Sequence, residues 1–146
     1  MALSLLRPLL TWLPRRWRSA PPIAAALWQQ TLDALPFLAH LPAEEQNILR
    51  ELCAHFLAEK EFHGAHGLQV TDAMAVTIAA QACRPLLHMC DPAGRRVTRV
   101  ADLLAWYDDF VGIVVQPGAA LARRQVRDQA GVVHHYTEAL AGEAMD

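Results

Sequence analysis

The segment Phe56–Cys83 constrains the fold of this chain more than any other feature. Its residues read FLAEKEFHGAHGLQVTDAMAVTIAAQAC. They join the end of an amphipathic helix, a loop with two glycines, a short extended piece and an alanine-rich helix. The segment therefore predicts two helices joined by a connection that depends on glycine.

The first of these helices is predicted to begin at Pro42, because Pro and the acids Glu44 and Glu45 favour a first helical turn. Apolar residues at helical spacing predict one buried stripe: Ile48, Leu49, Leu52, Cys53, Phe56 and Leu57. The solvent side is expected to carry Arg50, Glu51, Glu59 and Lys60. We expect the helix to end near Gly64, since Gly64 and Gly67 supply the backbone freedom for a loop.

The second helix follows a short extended piece. Leu68–Val70 alternates apolar, polar and apolar residues, as a short half-buried strand does. Thr71 or Asp72 can then cap the N-terminus of a helix. Between Ala73 and Cys83 this helix is almost uncharged, which is typical of burial on all sides. We expect Pro85 to kink or end it.

The rest of the chain adds one helix before this segment and strands after it. A helix is predicted from Ile23 to about Ala39, with the core candidates Leu27, Leu35 and Leu38. After Cys90 come a turn at Asp91–Gly94, a short helical turn around Leu103–Tyr107 and a strand at Phe110–Val115. Two further strands, Arg123–Arg127 and Val132–Thr137, flank a hairpin turn at residues 128–131. N-terminal helices followed by a small sheet indicate an α+β fold.

Two sets of residues carry a family resemblance. The main set is Phe56–Lys60, Phe62, Gly64, Gly67, Leu68, Val70–Asp72, Met74 and Val76–Cys83. Later pieces in the same order are Tyr107, Gly112–Val115, Pro117, Gly131–His134 and Gly142–Ala144. Together they resemble the N-terminal part of the Mlc titration factor A family, bacterial zinc-dependent metallopeptidases with a zincin-like fold. The resemblance extends from about Pro42 to Glu143.

The resemblance implies a zinc site that these residues do not supply. In the family, two His four residues apart on a helix bind zinc, the Glu after the first His activates the metal-bound water, and a further Glu ligand lies beyond. None of the seven His begins such a motif: His40, His55, His63, His66, His88, His134 and His135. We expect no catalytic residue and no bound zinc in this chain, which would be the N-terminal part of a peptidase domain that stops before the zinc-binding helix.

Smaller departures from the family lie near the predicted strands. Gln116-Pro117 followed by Ala120 stands where the family commonly has Tyr-Pro and then Phe. His134-His135 stands where it commonly has His-Glu, and neighbouring residues of a strand point to opposite faces, so these two His cannot chelate one ion together.

Two other groups of residues could form a functional site, but each also has a simpler structural explanation. A zinc site could be formed by ligands from the set His63, His66, Cys83, His88 and Cys90, but the spacing of these residues matches no standard zinc-binding pattern. Solvated loop His and core Cys are the preferred interpretation. Asp108-Asp109 could act as paired carboxylates, yet a solvated turn before a strand explains them better, because acid–base work requires burial to shift a pKa.

The first 20 residues differ from the rest in charge. Four Arg and no acid give this segment a charge of +4, with Leu and Trp residues between them, whereas the remainder carries −6. Such a basic amphipathic arm could lie on an anionic membrane surface or act as a leader, but a poorly ordered or loosely docked arm is the preferred interpretation. We divide the chain into this arm, 1–20, and a peptidase-domain part, 21–146. No transmembrane segment is expected, because no apolar run approaches the roughly 18 residues that a span needs.

Two functions remain open from the sequence. The preferred one is a scaffold and partial substrate sheet of a zinc-dependent peptidase, with Phe110–Val115 or the hairpin offering an edge to a peptide substrate. The alternative is a non-catalytic module that binds a transcriptional repressor, which the resemblance implies to be Mlc-like. No basic groove suggests nucleic-acid binding. The three cysteines Cys53, Cys83 and Cys90 are expected to be buried free thiols in the reducing cytoplasm.

Overall fold

The computed structural model describes residues 20–127 and 129–140 of the 146-residue chain. All but the last residue of the predicted arm 1–20, the first turn residue Asp128 and the resembling residues Gly142–Ala144 therefore lie outside the described residues. The chain divides into two compact units. We name the unit within residues 1–62 and 70–113 the helical unit, and the unit within residues 63–69 and 114–146 the hairpin unit.

The helical unit contains all of the α-helices that the structure describes. They are α1 (Ala25–Ala34), α2 (Pro36–Ala39), α3 (Ala43–Glu59), α4 (Asp72–Cys83) and α5 (Val100–Leu104). The prediction of one helix from Ile23 to Ala39 is wrong at Leu35, where φ of −123° and ψ of 77° interrupt it. Pro36 is the cause, because a proline disfavours helical backbone in the residue before it and has no N–H to continue the ladder.

Helix α3 begins as predicted but ends five residues early. Glu44 and Glu45 occupy its first turn, after Pro42. It ends at Glu59 and not near Gly64, because Lys60 is already extended, with φ of −99° and ψ of 151°. A strand that the sequence did not predict, β1 (Glu61–Gly64), follows at once. The apolar stripe is confirmed: Leu49, Leu52, Cys53 and Phe56 are buried, with Ile48 and Leu57 half-buried beside them.

Helix α4 is confirmed at both of its ends. The Thr71 Oγ1 accepts a hydrogen bond from the backbone N–H of Met74, 3.2 Å away, and so caps the N-terminus. At the other end the backbone tightens into a 3₁₀ turn, Arg84–His88, with Pro85 in its first turn. The strand predicted at Leu68–Val70 is wrong. These residues form no regular element and follow a tight turn at Ala65–Gly67, where His66 has φ of 53°.

The core of the helical unit lies where α3 and α4 pack together. Ala79 and Ala80 of α4 have no exposed surface, and such small side chains allow close approach of another helix. Burial on all sides of α4 is not observed, because Met74 is 37% exposed. Other fully or nearly fully buried members of the core are Leu38, Leu49, Leu52, Cys53, Phe56, Val76, Cys83, Leu87, Leu103 and Leu104.

Four strands complete the described structure. Strands β1 and β2 (Gly112–Val115) form one two-stranded sheet, so the strand predicted at Phe110–Val115 is confirmed for its last four residues. In the hairpin unit, β3 (Ala120–Arg127) pairs antiparallel with β4 (Val133–Leu140), in a register from Ala120 opposite Leu140 to Arg127 opposite Val133. Both hairpin strands are confirmed and are longer than predicted. The α+β class is confirmed. Within the described ranges, no helix has the length and apolar character needed to cross a membrane.

Candidate functional site

Lys60, the single lysine of the sequence, is buried, with 8% of its surface exposed. The prediction that it lies on the solvent side of α3 is wrong. Its amine donates hydrogen bonds to the backbone oxygens of Tyr107 and Phe110, the latter at 2.6 Å. The amine also lies 4.2 Å from the centre of the Phe110 ring, within the range of a cation–π interaction. Lys60 therefore ties the end of α3 to the chain segment that leads into β2.

Tyr107 adds a second anchor to the same segment. Its hydroxyl donates a 2.7 Å hydrogen bond to the backbone oxygen of Ala82 in α4. Its ring meets the Phe56 ring edge-on, with centroids 5.9 Å apart and planes at 79°, and lies 5.7 Å from the Phe110 ring. Burial raises the pKa of the Tyr107 hydroxyl, and the nearby Cys83 acts in the same direction. We name residues 105–111, held by Lys60 and Tyr107, the anchored turn.

The anchored turn determines where β2 begins. Directly after Phe110, the backbone oxygen of Val111 accepts a 2.9 Å hydrogen bond from the N–H of Glu61, the first residue of β1. Helix α3, the anchored turn and the start of the sheet are thus connected by hydrogen bonds and ring contacts. This arrangement can position a strand. It places no nucleophile or acid–base pair in a protected site.

The thiols of Cys53 and Cys83 are buried in the same core and are not joined in a disulfide. A hydrogen bond with Cys83, together with burial, raises the pKa of the Cys53 thiol. A protonated thiol is a poor nucleophile and a poor metal ligand, so this pair is suited to packing. Cys90 is exposed and free. The predicted burial is confirmed for Cys53 and Cys83 and is wrong for Cys90.

The structure does not give the His and Cys candidates a common environment. His63, His66, His88 and Cys90 are exposed, whereas Cys83 is buried. His88 has another neighbour, with its Nε2 atom 3.5 Å from a carboxylate oxygen of Glu45. Over residues 20–127 and 129–140, no three His, Cys, Asp or Glu side chains are grouped as a metal site would require.

The structure supports the simpler interpretation of two residue pairs, Asp108–Asp109 and His134–His135. Asp108 and Asp109 are exposed residues of the turn that precedes β2, as a solvated turn requires. His134 and His135 are both exposed and lie opposite Val126 and Gln125 in the hairpin. As neighbours in β4 they point to opposite faces of that strand.

An open cleft of about 300 Å³ lies between α3 and the chain that precedes α1. Ile23 and Ala54 give it an apolar floor, and Arg50, Glu51 and His55 line it. The Arg50 guanidinium donates to the backbone oxygen of Ile23, with its Nε 3.2 Å away. Zinc needs at least three protein ligands, whereas this cleft offers one carboxylate and one imidazole beside a fixed cation. The residues of the cleft do not fit a zinc ion.

The chain matches a known protein family over nearly its whole length. A family described as glucose-regulated metallo-peptidase M90 matches residues 9–146, nearly the whole chain, so this is a metallopeptidase-family protein. The chain belongs to the M90 family.

The relatives that the chain matches are longer than the chain. Mlc titration factor A of Klebsiella pneumoniae is 28% identical over 117 residues, which are 80% of this chain and 39% of that protein. The protein of the same name from Enterobacter sp. is 26% identical over 130 residues, 88% of this chain and 44% of that protein. An uncharacterized Synechocystis protein is 31% identical over 121 residues, 82% of this chain and 39% of its own length. The chain thus spans about two fifths of the length of these relatives. No solved structure matches it significantly.

Proposed function

We propose that this chain is the N-terminal, non-catalytic scaffold of a zinc-dependent peptidase of the Mlc titration factor A type, with a zincin-like fold. Membership of the M90 family supports the peptidase assignment. The sequence contains no His-Glu-x-x-His motif, and neither the cleft nor the buried thiols fit zinc. The zinc ligands and the catalytic Glu would therefore come from sequence other than these 146 residues.

The anchored turn is the observation that carries this proposal. Lys60 and Tyr107 fix the approach to β2 with hydrogen bonds to three backbone oxygens. A peptide can bind to a protein by adding a strand to an exposed sheet edge, and such an edge must be held in a defined position. We propose that the helical unit supplies this rigidity and that the strands contribute to the surface on which a peptide substrate aligns.

The second candidate function is a non-catalytic module that binds a transcriptional repressor. It is favoured by the name that several relatives carry, Mlc titration factor A. Immobilised protein that retains purified Mlc-like repressor would support it, and a cytoplasmic location, consistent with free thiols, suits either function. We favour the scaffold because the structure supplies a physical role for the anchored residues.

A chimera tests the scaffold directly. The 117 residues of Klebsiella Mlc titration factor A that match this chain are replaced by the corresponding residues of this chain. Purified chimera is then assayed on a mixed library of fluorogenic peptides, with zinc or with a chelator. The scaffold account predicts chelator-sensitive hydrolysis by the chimera.

Two controls make the result decisive. The unaltered Klebsiella protein fixes the activity to be recovered, and the chimera carrying Lys60→Met should lose activity because its anchored turn is no longer held. A folded chimera that hydrolyses no peptide on which the Klebsiella protein is active would overturn the proposed function.

A further inference from the structure

The anchored turn exposes an unusually large apolar side chain. Trp106 has 64% of its surface exposed, and Val111, at the other end of the turn, has 44%. Between them lie the exposed acids Asp108 and Asp109. We name these four residues the Trp106 surface. Trp is among the residues most enriched where a few side chains dominate the binding energy of an interface.

Tyr107 and Phe110, the other two aromatic residues of the anchored turn, are less exposed than Trp106. Tyr107 and Phe110 are half-buried against the core, and their backbone oxygens accept hydrogen bonds from Lys60. Trp106 is therefore carried on backbone whose conformation is already fixed by its neighbours. A turn whose backbone is already ordered loses little conformational entropy when a partner covers it, which lowers the cost of association.

We propose that the Trp106 surface packs against the remaining three fifths of the longer M90 proteins, the part that this chain does not match. This inference rests on the proposed function. The length of the relatives favours this occupant, because the Klebsiella and Synechocystis proteins each extend well beyond the 39% of their length that the chain covers. A single exposed Trp on a rigid turn would serve as the anchor of that packing.

Hydroxyl-radical footprinting read by mass spectrometry tests the inference without relying on activity. The indole of Trp106 should react readily in the isolated protein and become several-fold less reactive in the chimera with the Klebsiella protein. Phe37 is the internal control: it is 50% exposed on α2, away from the anchored turn in sequence, and its reactivity should not change. Equal reactivity of Trp106 in the isolated protein and in the folded chimera would overturn the inference.

A substitution gives a second readout. Trp106→Ser should leave the melting temperature of the isolated protein nearly unchanged, because its side chain is largely exposed, and Phe37→Ser, at a half-exposed site, should lower it only slightly. In the chimera, Trp106→Ser should lower peptide hydrolysis by about tenfold, as truncation of a dominant contact does, while Phe37→Ser should have no effect. Equal activity of the two variants would count against the Trp106 surface.

The possible outcomes separate the two proposals. An inactive but folded chimera with a protected Trp106 would overturn the proposed function and uphold the packing surface. An active chimera with a reactive Trp106 would uphold the proposed function and overturn the packing surface. If Trp106 of the isolated protein is protected at high concentration and becomes reactive on dilution, the occupant is a second copy of this chain and the inference is wrong.

Discussion

The amine of Lys60 donates a 2.6 Å hydrogen bond to the backbone oxygen of Phe110 and lies 4.2 Å from the centre of the ring of that same residue. One side chain therefore holds both the main chain and the ring of Phe110. Since β2 begins two residues later, at Gly112, this contact sets the position of the strand relative to α3. Burial of an amine is tolerated here because backbone oxygens and an aromatic face replace water.

Burial of Lys60 predicts protection from amine-reactive reagents. The chain has a single lysine, so labelling with an N-hydroxysuccinimide ester can reach only Lys60 and the N-terminal amine. In the native protein Lys60 should not be labelled, whereas in urea it should be. Rapid labelling of Lys60 under native conditions, measured by peptide mass spectrometry, would show that it is exposed as the sequence first suggested.

Lys60→Met should destabilise the protein by about 3 kcal/mol. The methionine fills the space but leaves the oxygens of Tyr107 and Phe110 without their charged donor, and hydrogen bonds to charged groups are worth more than neutral ones. Urea denaturation followed by circular dichroism measures the change. Arg99→Met is the matched control: its side chain is 79% exposed and should change the free energy of unfolding by less than about 0.5 kcal/mol. Equal effects of the two variants would contradict the account.

Phe56→Ala should cost about 3–5 kcal/mol, the usual range for deleting a buried phenylalanine ring. The ring is 1% exposed and packs edge-on against Tyr107. Phe37→Ala, which removes the same group from a half-exposed site, should cost far less. The two variants are compared by denaturant titration at equal pH. If Phe37→Ala lowered the free energy of unfolding as much as Phe56→Ala does, Phe56 would not be a core residue.

Gly64→Ala should destabilise the protein while Gly112→Ala should not. A Cβ atom at Gly64 would lie 1.8 Å from the backbone oxygen of Leu68, so the main chain must move. Nothing lies within 4 Å of the same atom at Gly112. Overpacking of this kind costs about 1–3 kcal/mol. Thermal melts of the two variants test the contrast, and a neutral Gly64→Ala would show that Leu68 does not lie against this glycine.

Stability should fall in alkaline solution. Hydrogen bonding with Cys83 and burial raise the pKa of the Cys53 thiol above its ordinary value of 9.0. Above pH 9 the unfolded chain therefore loses a proton that the native state keeps. The free energy of unfolding then decreases by about 1.4 kcal/mol per pH unit for this group. The raised pKa of Tyr107 adds a decrease of the same sign above pH 10.

Cys53→Ala isolates that contribution. Urea titrations from pH 8 to pH 10.5 should show a shallower decrease in the variant than in the parent, whatever the stability of each at pH 8. Cys90→Ala, at an exposed thiol, should keep the slope of the parent. Parallel curves for the parent and Cys53→Ala would show that Cys53 titrates normally in the native state.

The sequence predicts elements whose causes are local. The Thr71 cap, the end of α4 before Pro85 and the buried stripe of α3 depend on residues a few positions apart. The β3–β4 hairpin also follows from two extended runs with a short turn between them.

The sequence does not predict the environment of Lys60. Its charge suggested the solvent side, although it follows buried Phe56 by four residues. The two oxygens that accept from its amine lie 47 and 50 positions further along the chain. Strand β1 was missed for a related reason, because its hydrogen bond from Glu61 to Val111 is equally remote in sequence. Contacts of this kind leave no periodic signal in the residues around them.

Zinc titration of the isolated protein, followed by calorimetry, tests the central claim most directly. That claim assigns rigidity to these residues and metal-dependent chemistry to the rest of an M90 protein. We expect no stoichiometric zinc site of sub-micromolar affinity and no chelator-sensitive hydrolysis in the same sample. One tightly bound zinc ion per chain, accompanied by peptide hydrolysis that a chelator abolishes, would contradict the claim.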